Sequence, residues 1–549
     1  MQANRRAFLG SVGAASLAAG VIGVEPLLQR ESSQVQAATG SNQRANQCAK
    51  LRRDAATAGL QSTPQNLQHP DNNDEEIYPN KLGSYSKGLP HNDDGTVVAS
   101  AYAALVRAID SGRPADFDAI PLGGDRLLTN PQSGLAFDMQ GPDAHALVQP
   151  SAPPFASREQ AAEISENYWM ALLRDVPYSQ YSGNPIANAA AADLTLYGGD
   201  FKGPKSGGAV TTSTLFRGLT PGDLLGPYIS QFFYQDCNFG ANKVEQKITT
   251  TAPGIDYMTD FATWLAVQRG FNQPPDVFDP IPRYIRNGRD IGQWVHIDVL
   301  FQGYFQAFLV LAGAGAPFDD GNPYNGNPTQ MGFGTFGGPH IATLLCEVST
   351  RALKAVWFQK WFVHRRLRPE VQAERVHRTL FNGANYPVHP EILNSFNDNN
   401  RLKGFMPAGN ALLPMAFPEG SPTHPAYGAG HATVAGACVT ILKAWFKETT
   451  RLVDIGLAPL QPTDDGLNLV PYPGSDAGDL TVGGELNKIA ANVALGRNTA
   501  GVHWRSDATE SLKLGEQIAI GILRDQRACY NEVFNGFSLT KFDGTTLTV

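Results

Sequence analysis

The sequence is poor in cysteine, carries no excess of positive charge and contains no long apolar run after its N-terminus. Its five cysteines form no Cys-x-x-Cys pair, which argues against a zinc site. The 51 acidic residues outnumber the 43 Lys and Arg residues, for a formal net charge of −8, so nucleic acid is not an expected partner. Since no segment beyond the N-terminus is suited to cross a bilayer, we expect no stable membrane span.

Strand-like sequence is also scarce, and neither a repeat period nor a Ser/Gly-rich linker divides the chain. Apolar residues recur at helical spacing in many segments, including residues 224–234 and 340–366. A hairpin is predicted only near the end, at FSLTKFDGTTLTV, where Asp543 and Gly544 favour a tight turn. We therefore predict a mainly α-helical protein, built of helical bundles with few short strands, whose residues 39–549 form a single large domain.

The N-terminus has the pattern of an export signal. Arg5 and Arg6 precede Phe-Leu and a weakly hydrophobic stretch rich in Ala and Gly, and residues 35–37 offer a small-residue cleavage site. Residues 1–38 are therefore predicted to be a twin-arginine signal, with a periplasmic or extracellular destination. The alternative is a poorly ordered N-terminus with a chance pair of arginines.

A turn rich in Gly and Pro, SPTHPAYGAGHAT at residues 421–433, leads into a long apolar helical pattern. It contains His424 and His431, seven residues apart, and Gly430 directly precedes the second histidine. A helix N-terminus presents free backbone N–H groups and the positive end of the helix dipole, both of which favour a bound anion. A histidine at that position can transfer protons beside the anion. The alternative is a surface loop with two solvated histidines.

Two further stretches, KWFVHRRLRP and RNTAGVHWRSD, concentrate basic residues. A compact oxyanion needs several N–H donors, net positive charge and one nucleophile or ligand. Pro369 is expected to end the helix that carries Lys360, so that Arg368, just beyond that end, can reach the same anion. The candidate donors and the additional ring nitrogen in these two stretches are Lys360, Arg368, Arg497 and His503.

The other charges near these motifs have less specific interpretations. The remaining basic side chains of residues 351–366 are expected to be solvated or paired with Glu370 and Glu374. Asp507 follows His503 by four residues, so it could accept a proton from the second ring nitrogen of that histidine. It could equally cap the helix that follows.

Together these motifs resemble the vanadium-dependent haloperoxidases. The shared signature is Lys with Arg-Pro starting eight positions on, Gly-His opening a helix, and Arg with His six positions on. Type 2 phosphatidic acid phosphatases and bacterial acid phosphatases have the same three-part signature. The His424–His431 pair, the HRRLRPE run and the GLPHNDDG run at residues 88–95 are most similar to bromoperoxidases of red algae and cyanobacteria. The resemblance covers most of the chain after about residue 45, with its motifs within about residues 340–527.

The resemblance implies an enzyme that uses vanadate and hydrogen peroxide to oxidise bromide, and less specifically chloride or iodide, to a hypohalous equivalent. This product would halogenate a small organic acceptor. The family also implies a homo-oligomer, a dimer or larger. His503 would be the vanadium ligand, and His424 favours bromide over chloride. The implied catalytic residues are His431, Lys360 and His424. The implied vanadate-binding residues, called the oxyanion cup below, are Lys360, Arg368, Gly430, Arg497 and His503.

Two alternatives use the same cup differently. A phosphatase would use His503 as nucleophile and His431 as the acid for the leaving group. A non-catalytic exported protein would bind an oxyanion only. One position departs from the family pattern, because Ala429 stands where Ser-Gly-His is usual. The missing hydroxyl removes one hydrogen bond to the anion, which would weaken the cup by roughly 1.5–3 kcal/mol.

The stretch FDDGNPYNGN at residues 318–327 is dense in oxygen donors and turn residues. Asp320, Asn325 and Asn327, with a backbone carbonyl at Phe318, could hold a calcium ion. The resemblance supports this interpretation, because the algal bromoperoxidases have a structural calcium ion in a comparable loop. The alternative is a turn rich in Asx residues that holds no ion.

Overall fold

A computed structural model describes residues 41–549; the predicted export signal at residues 1–38 lies outside the described residues. As predicted, the fold is mainly α-helical. The helices are α1 Ser41–Ser62, α2 Asp74–Ile77, α3 Ala99–Ser111, α4 Pro114–Asp118, α5 Arg158–Leu172, α6 Pro185–Leu196, α7 Phe261–Arg269, α8 Gly288–Ile297, α9 Gln302–Gly313, α10 Gly338–Phe358, α11 Pro369–Phe381, α12 Pro390–Ser395, α13 Gly430–Trp445, α14 Val482–Thr499 and α15 Arg505–Arg527.

The strands are short and pair only as antiparallel hairpins. The hairpin predicted near the C-terminus is confirmed, with Leu539 opposite Leu547. The strands are β1 Cys237–Phe239, β2 Asn242–Val244, β3 Leu460–Pro462, β4 Leu469–Pro471, β5 Ser538–Thr540 and β6 Thr546–Thr548. Single 3₁₀ turns lie at Pro131–Leu135, Ala144–Ala146, Tyr178–Gln180, Gly198–Asp200, Gln231–Phe233, Leu402–Gly404, Leu452–Ile455 and Ala477–Asp479.

Helix α13 lies at the centre of the largest hydrophobic core and packs against α10, α14 and α15. Every residue of α13 except His431 is buried. Two glycines bring α13 and α15 close together: a Cβ on Gly515 would overlap the carbonyl oxygen of Thr433, and one on Gly436 would overlap that of Leu512. The helix that begins at the Gly-rich turn is therefore held rigidly by its neighbours.

The segment between α10 and α11 joins three hydrophobic cores. Val356 belongs to the core around α13, Trp361 to a small core around α3, and Leu367 to a core that includes α5 and α6. Residues Gln359–His364 form a π-helical turn that continues α10. The predicted helix over residues 340–366 is thus confirmed, and its last turn lies where the three cores meet.

Two local predictions are wrong. Pro369 does not end α10; it is the first residue of α11, where its missing N–H costs nothing, and the preceding helix ends at Arg365 with φ +35°. The helix predicted over residues 224–234 is reduced to one 3₁₀ turn. Gly226, with φ +67°, and Pro227 interrupt the apolar pattern there.

All five cysteines are free thiols, and Cys237 and Cys438 are buried. Within residues 41–549, no single helix is long and apolar enough to cross a membrane. Helices α8 and α9, bent by 101° at their junction, meet the length and composition criterion only as a pair.

The close contact between α13 and α15 makes a stability prediction. Gly515→Ala should lower the free energy of unfolding by about 1–3 kcal/mol, because the added methyl group forces two backbones apart. Gly59→Ala is the matched control: it lies in α1 with no heavy atom within 4 Å of its added Cβ, so it should raise stability by about 0.5–1 kcal/mol. Urea unfolding measures the free energy of unfolding of both variants, and equal changes in that free energy would contradict the packing argument.

Candidate functional site

A cavity of about 270 Å³ opens at the N-terminus of α13. Five residues predicted from the sequence line it, namely His424, Gly430, His431, Arg497 and His503. The rest of its wall combines apolar side chains with one carboxylate and one further histidine. These residues are His296, Leu300, Leu353, Trp357, Phe417, Glu419, Gly420 and Pro422. The structure therefore brings together motifs that lie more than 60 residues apart in sequence.

The start of α13 is open toward this cavity. Ala429 is the N-cap and its side chain makes no capping hydrogen bond. The Ala429 N–H instead donates to Oγ of Ser511 at 2.8 Å. At Gly430 a Cβ would lie 3.2 Å from the Trp357 ring, so glycine allows the ring to approach the helix end closely. The first N–H groups of α13 can then serve an anion.

His503 is oriented as a ligand by Asp507. Its Nδ1 donates to Oδ2 of Asp507 at 2.8 Å, which leaves the lone pair of Nε2 facing away from the carboxylate. The same carboxylate oxygen accepts the backbone N–H of Trp504 at 3.2 Å. Both interpretations of Asp507 therefore hold, because this carboxylate positions the histidine and caps α15.

A buried ion-pair network fixes Asp507 in turn. Arg366 donates from Nη1 to Oδ1 of Asp507 at 2.8 Å and from Nη2 to Oε2 of Glu163 at 2.6 Å. The other oxygen of Glu163 accepts the Ser506 N–H at 2.5 Å. The expectation that the remaining basic side chains are solvated or paired with Glu370 and Glu374 is wrong for Arg366. Its partner Glu163 lies 203 residues away, on a helix whose apolar pattern gave no signal for this contact.

Lys360 and Arg368 lie directly behind the cavity wall. Nζ of Lys360 donates to the carbonyl oxygens of Pro425 at 2.8 Å and Ala426 at 3.0 Å. Arg368 donates to the carbonyl oxygen of His424 and, from Nη1, to Nε2 of His503 at 3.0 Å. Both cations are fully buried. They hold the Gly-rich turn in place, and Arg368 contacts the ring nitrogen predicted to bind the metal.

Burial disfavours the charged form of every basic group here. It lowers the pKa of Lys360 well below the ordinary value, and repulsion by Arg368 and Arg497 adds to the effect. Burial likewise lowers the pKa of Arg368 and Arg497 to about 10. The pKa of His503 also lies well below its ordinary value, mainly through burial, so its imidazole is neutral. A bound anion would offset this excess of buried positive charge.

Arg497 and His431 face the cavity from two different helices. Nη1 of Arg497 donates to the carbonyl oxygen of Val295 at 2.6 Å, whereas its buried Nε has no hydrogen-bond partner among the described residues. Nε2 of His431 lies 2.9 Å from Oδ1 of Asp298. Burial lowers the pKa of His431, and the negative charge of Asp298 opposes that shift. Sequence reasoning missed Asp298, which follows α8 and lies 133 residues from its histidine.

His424 completes the cavity wall. Nη2 of Arg368 donates to its Nδ1 at 2.9 Å, and its ring packs on Trp357 with 4.8 Å between ring centroids. Burial lowers the pKa of His424 well below the ordinary value, followed by repulsion from Lys360 and Arg368. The residue is therefore a neutral ring held by a cation, which differs from a solvated loop histidine.

The loop predicted to hold calcium lies at the other end of α13, about 24 Å away by helix rise. Phe318 forms a β-bridge with Phe446. The Asp320 carboxylate accepts two contacts from Lys447 Nζ at 2.9 Å. The amide of Asn325 donates to a backbone carbonyl, and the side-chain oxygen of Asn327 accepts two backbone N–H groups. Among residues 41–549, no group of three His, Cys, Asp or Glu side chains is placed to hold a metal ion.

The oxyanion cup has the chemistry of an anion site. Three features converge on one cavity: Nε of Arg497, which has no partner among the described residues, the start of α13 without a side-chain cap, and Nε2 of His503, which accepts from Arg368. These groups supply N–H donors, positive charge and one ligand nitrogen, which a vanadate or phosphate anion requires.

Comparison with known proteins gives consistent relatives. Residues 348–532 match a family model described as the VCPO second helical-bundle domain. The chain is 37% identical to a vanadium-dependent bromoperoxidase of Corallina pilulifera, over 87% of this chain and 92% of the relative. It is 36% identical to a vanadium-dependent bromoperoxidase of Ascophyllum nodosum, over 85% and 87%.

A solved structure agrees with these sequence relatives. The homohexameric structure of the second vanadate-dependent bromoperoxidase from Ascophyllum nodosum superimposes with a TM-score of 0.85. The two chains are 31% identical, and the superposition covers 96% of this chain and 94% of the other. The likeness therefore extends over nearly all of the described fold.

The network behind His503 makes a second stability prediction. Asp507→Asn should lower the free energy of unfolding by about 3 kcal/mol, because the neutral amide leaves part of the buried Arg366 charge uncompensated. Asp454→Asn is the control, since its pair with Arg451 is exposed to solvent and should contribute little to stability. Urea unfolding without vanadate provides the measurement. A loss at Asp507 no larger than that at Asp454 would show that the network is not a structural requirement.

Proposed function

The chain belongs to the vanadium-dependent bromoperoxidase family, and we propose that it oxidises bromide with hydrogen peroxide in a vanadate-dependent reaction. The product is a hypobromous equivalent that halogenates an organic acceptor. The observation that carries this proposal is the cavity where Arg497, His431 and His503 converge at the start of α13. Relatives that are named bromoperoxidases and align with most of the chain support bromide as the halide.

Vanadate fits the residues present. His503 would hold the metal through Nε2, because Asp507 already engages Nδ1. Arg497 Nε and the N–H of Gly430 would donate to the oxygens, and Lys360 and Arg368 would supply positive charge from behind the wall. When bound, vanadate supplies a Lewis-acid centre that activates hydrogen peroxide toward attack by bromide.

The protein groups have distinct roles around that centre. His431, held by Asp298 and lining the cavity, can take and return protons next to the anion. Arg368 would give up its hydrogen bond to His503 when this nitrogen binds the metal, and its other donors keep the carbonyl of His424 in place. Leu353 and Trp357 provide an apolar wall that limits water around the reacting atoms.

We also propose three properties that the family membership suggests: calcium binding, assembly as a homo-oligomer and export. Calcium binding at residues 318–327 requires Lys447 to release Asp320, and is supported by the density of oxygen donors in this loop. Assembly as a homo-oligomer is supported by the homohexameric relative. Export of a single domain, residues 39–549, to the periplasm or the extracellular space is supported by the twin-arginine pattern.

Removal of the proposed metal ligand tests the function. His503→Ala should abolish vanadate binding and vanadate-dependent bromination of an indicator dye, because it removes the cavity nitrogen that the Asp507 carboxylate orients as a ligand. His431→Ala should lose most turnover but keep vanadate binding, since this residue moves protons. Bromination by both variants is measured with and without orthovanadate, and hydrolysis of a phosphate ester is measured beside it. Ester hydrolysis without bromination would identify a phosphatase, and full bromination by His503→Ala would contradict the ligand assignment.

Ala429 offers a gain-of-binding test. Ala429→Ser places a hydroxyl at the N-cap of α13, where it can accept from the helix and donate to the anion. The vanadate concentration that half-activates the apo-enzyme should fall by up to about tenfold, which corresponds to about 1.4 kcal/mol. Ala429→Cys, of similar shape with a weak donor, is the control, and phosphate is left out because it competes. An unchanged half-activating concentration in the serine variant would show that the cup does not need this hydroxyl.

A further inference from the structure

Three titratable side chains, Asp276, His296 and Glu419, form a row beside the cavity. Nε2 of His296, near the end of α8, lies 2.8 Å from Oε1 of Glu419. Its Nδ1 lies 3.4 Å from Oδ2 of Asp276. His296 and Glu419 line the cavity, whereas Asp276 lies outside its wall with its side chain 11 % exposed. The row therefore connects a partly exposed carboxylate to the cavity.

Phe417 fixes this row relative to the oxyanion cup. The His296 ring stacks on Phe417 with 3.7 Å between centroids and 11° between planes. The guanidinium of Arg497 lies 5.5 Å from the centroid of the same phenyl ring. One aromatic side chain thus contacts both the row and the cation of the cup that faces the cavity.

Hydrogen bonding in the row leaves one ring nitrogen of His296 unused. Two ionised carboxylates can only accept, while a neutral imidazole has a single N–H. Burial raises the pKa of Glu419, but the hydrogen bond and the charge of His296 outweigh it and lower the pKa to about 2. Glu419 is therefore ionised and His296 donates to it. Nδ1 of His296 has no hydrogen-bond partner among the described residues and lies 3.4 Å from Oδ2 of Asp276, whose pKa burial raises. This nitrogen is thus placed to exchange a proton with Asp276.

The other charged groups around the row are cations. Arg126 and Arg497 act on the Glu419 carboxylate through space, and Lys87 donates to the Glu419 carbonyl oxygen at 2.7 Å. Lys87 is itself paired with Glu370 at 2.7 Å. These groups favour the ionised form of Glu419, so this carboxylate accepts the hydrogen bond from His296.

The proposed reaction consumes one proton in each turnover. Bromide forms a bond to one peroxide oxygen, the O–O bond breaks, and the other oxygen leaves as water: Br⁻ + H₂O₂ + H⁺ gives HOBr + H₂O. Bromide loses two electrons and peroxide gains them. At neutral or alkaline pH the bulk solution holds few free protons, so a nearby acid would help the leaving oxygen.

We propose that Asp276, His296 and Glu419 form a relay that delivers this proton from solvent to the cavity, a role that rests on the proposed function. Nε2 of His296 passes its proton to Glu419, which gives it to the departing oxygen through cavity water. Asp276 returns a proton to Nδ1 and is recharged from solvent. His431 and Asp298 act separately, beside the oxyanion cup.

The pH profile of a relay variant tests the proposal. His296→Gln should brominate within about twofold of wild type at pH 6, where buffer supplies protons, and about tenfold more slowly at pH 8. Added imidazole should restore the rate at pH 8. His340→Gln is the matched control, because this ring contacts Gln526 and lies outside the cavity wall. A ratio to wild type that is constant from pH 6 to pH 8, without rescue by imidazole, would overturn the relay.

A second variant and a measurement without vanadate keep the test independent of folding and of the proposed function. Glu419→Gln should show the same pH-dependent loss. Nitrogen NMR of the vanadate-free protein should find the proton of the His296–Glu419 hydrogen bond on Nε2 of His296 in wild type, and Glu419→Gln should shift that Nε2 signal. A wild-type His296 whose Nε2 carries no proton would overturn the relay. Absence of vanadate-dependent bromination in wild type would overturn the proposed function, while the NMR result would still report on the shared proton.

Discussion

The concentration of buried positive charge at the N-terminus of α13 is the constraint around which the site is built. Lys360, Arg368 and Arg497 are all buried there, and burial disfavours the charge of each. Backbone carbonyl oxygens of the Gly-rich turn and of neighbouring helix ends compensate part of that charge. Asp507 lies behind His503, and Glu419 is the one carboxylate on the cavity wall, so positive charge predominates at the start of α13.

Rigidity of the surrounding helices makes this arrangement possible. Helix α13 cannot shift, because glycine contacts lock it against α15, and the π-helical turn after α10 lies where three cores meet. The Arg366 network ties α5 to α15 behind His503, the proposed metal ligand. Burial of apolar surface in the surrounding cores stabilises the fold, and this stabilisation can offset the repulsion between the clustered cations.

Local features of the fold were predictable from sequence, whereas contacts between distant segments were not. The apolar periodicity predicted α10 and α13, and the Asp-Gly turn predicted the last hairpin, because such elements depend on residues that are close in sequence. The family resemblance predicted the five residues of the oxyanion cup. The structure places three of them on the cavity wall and two behind it. The pairs of Asp298 with His431 and of His296 with Glu419 span 133 and 123 residues, so no local pattern indicates them.

The long sequence separation of these pairs has a consequence for how the protein acquires activity. The matched family segment, residues 348–532, contains neither Glu163 nor Asp298, which hold site residues from outside it. Distant segments must therefore meet before the anion-binding groups take their final positions, and the loop-closure entropy of such contacts slows folding. Cofactor uptake becomes a late event that reports on completed folding, and a full-length chain that has not finished folding would have the motifs without the ability to retain the anion.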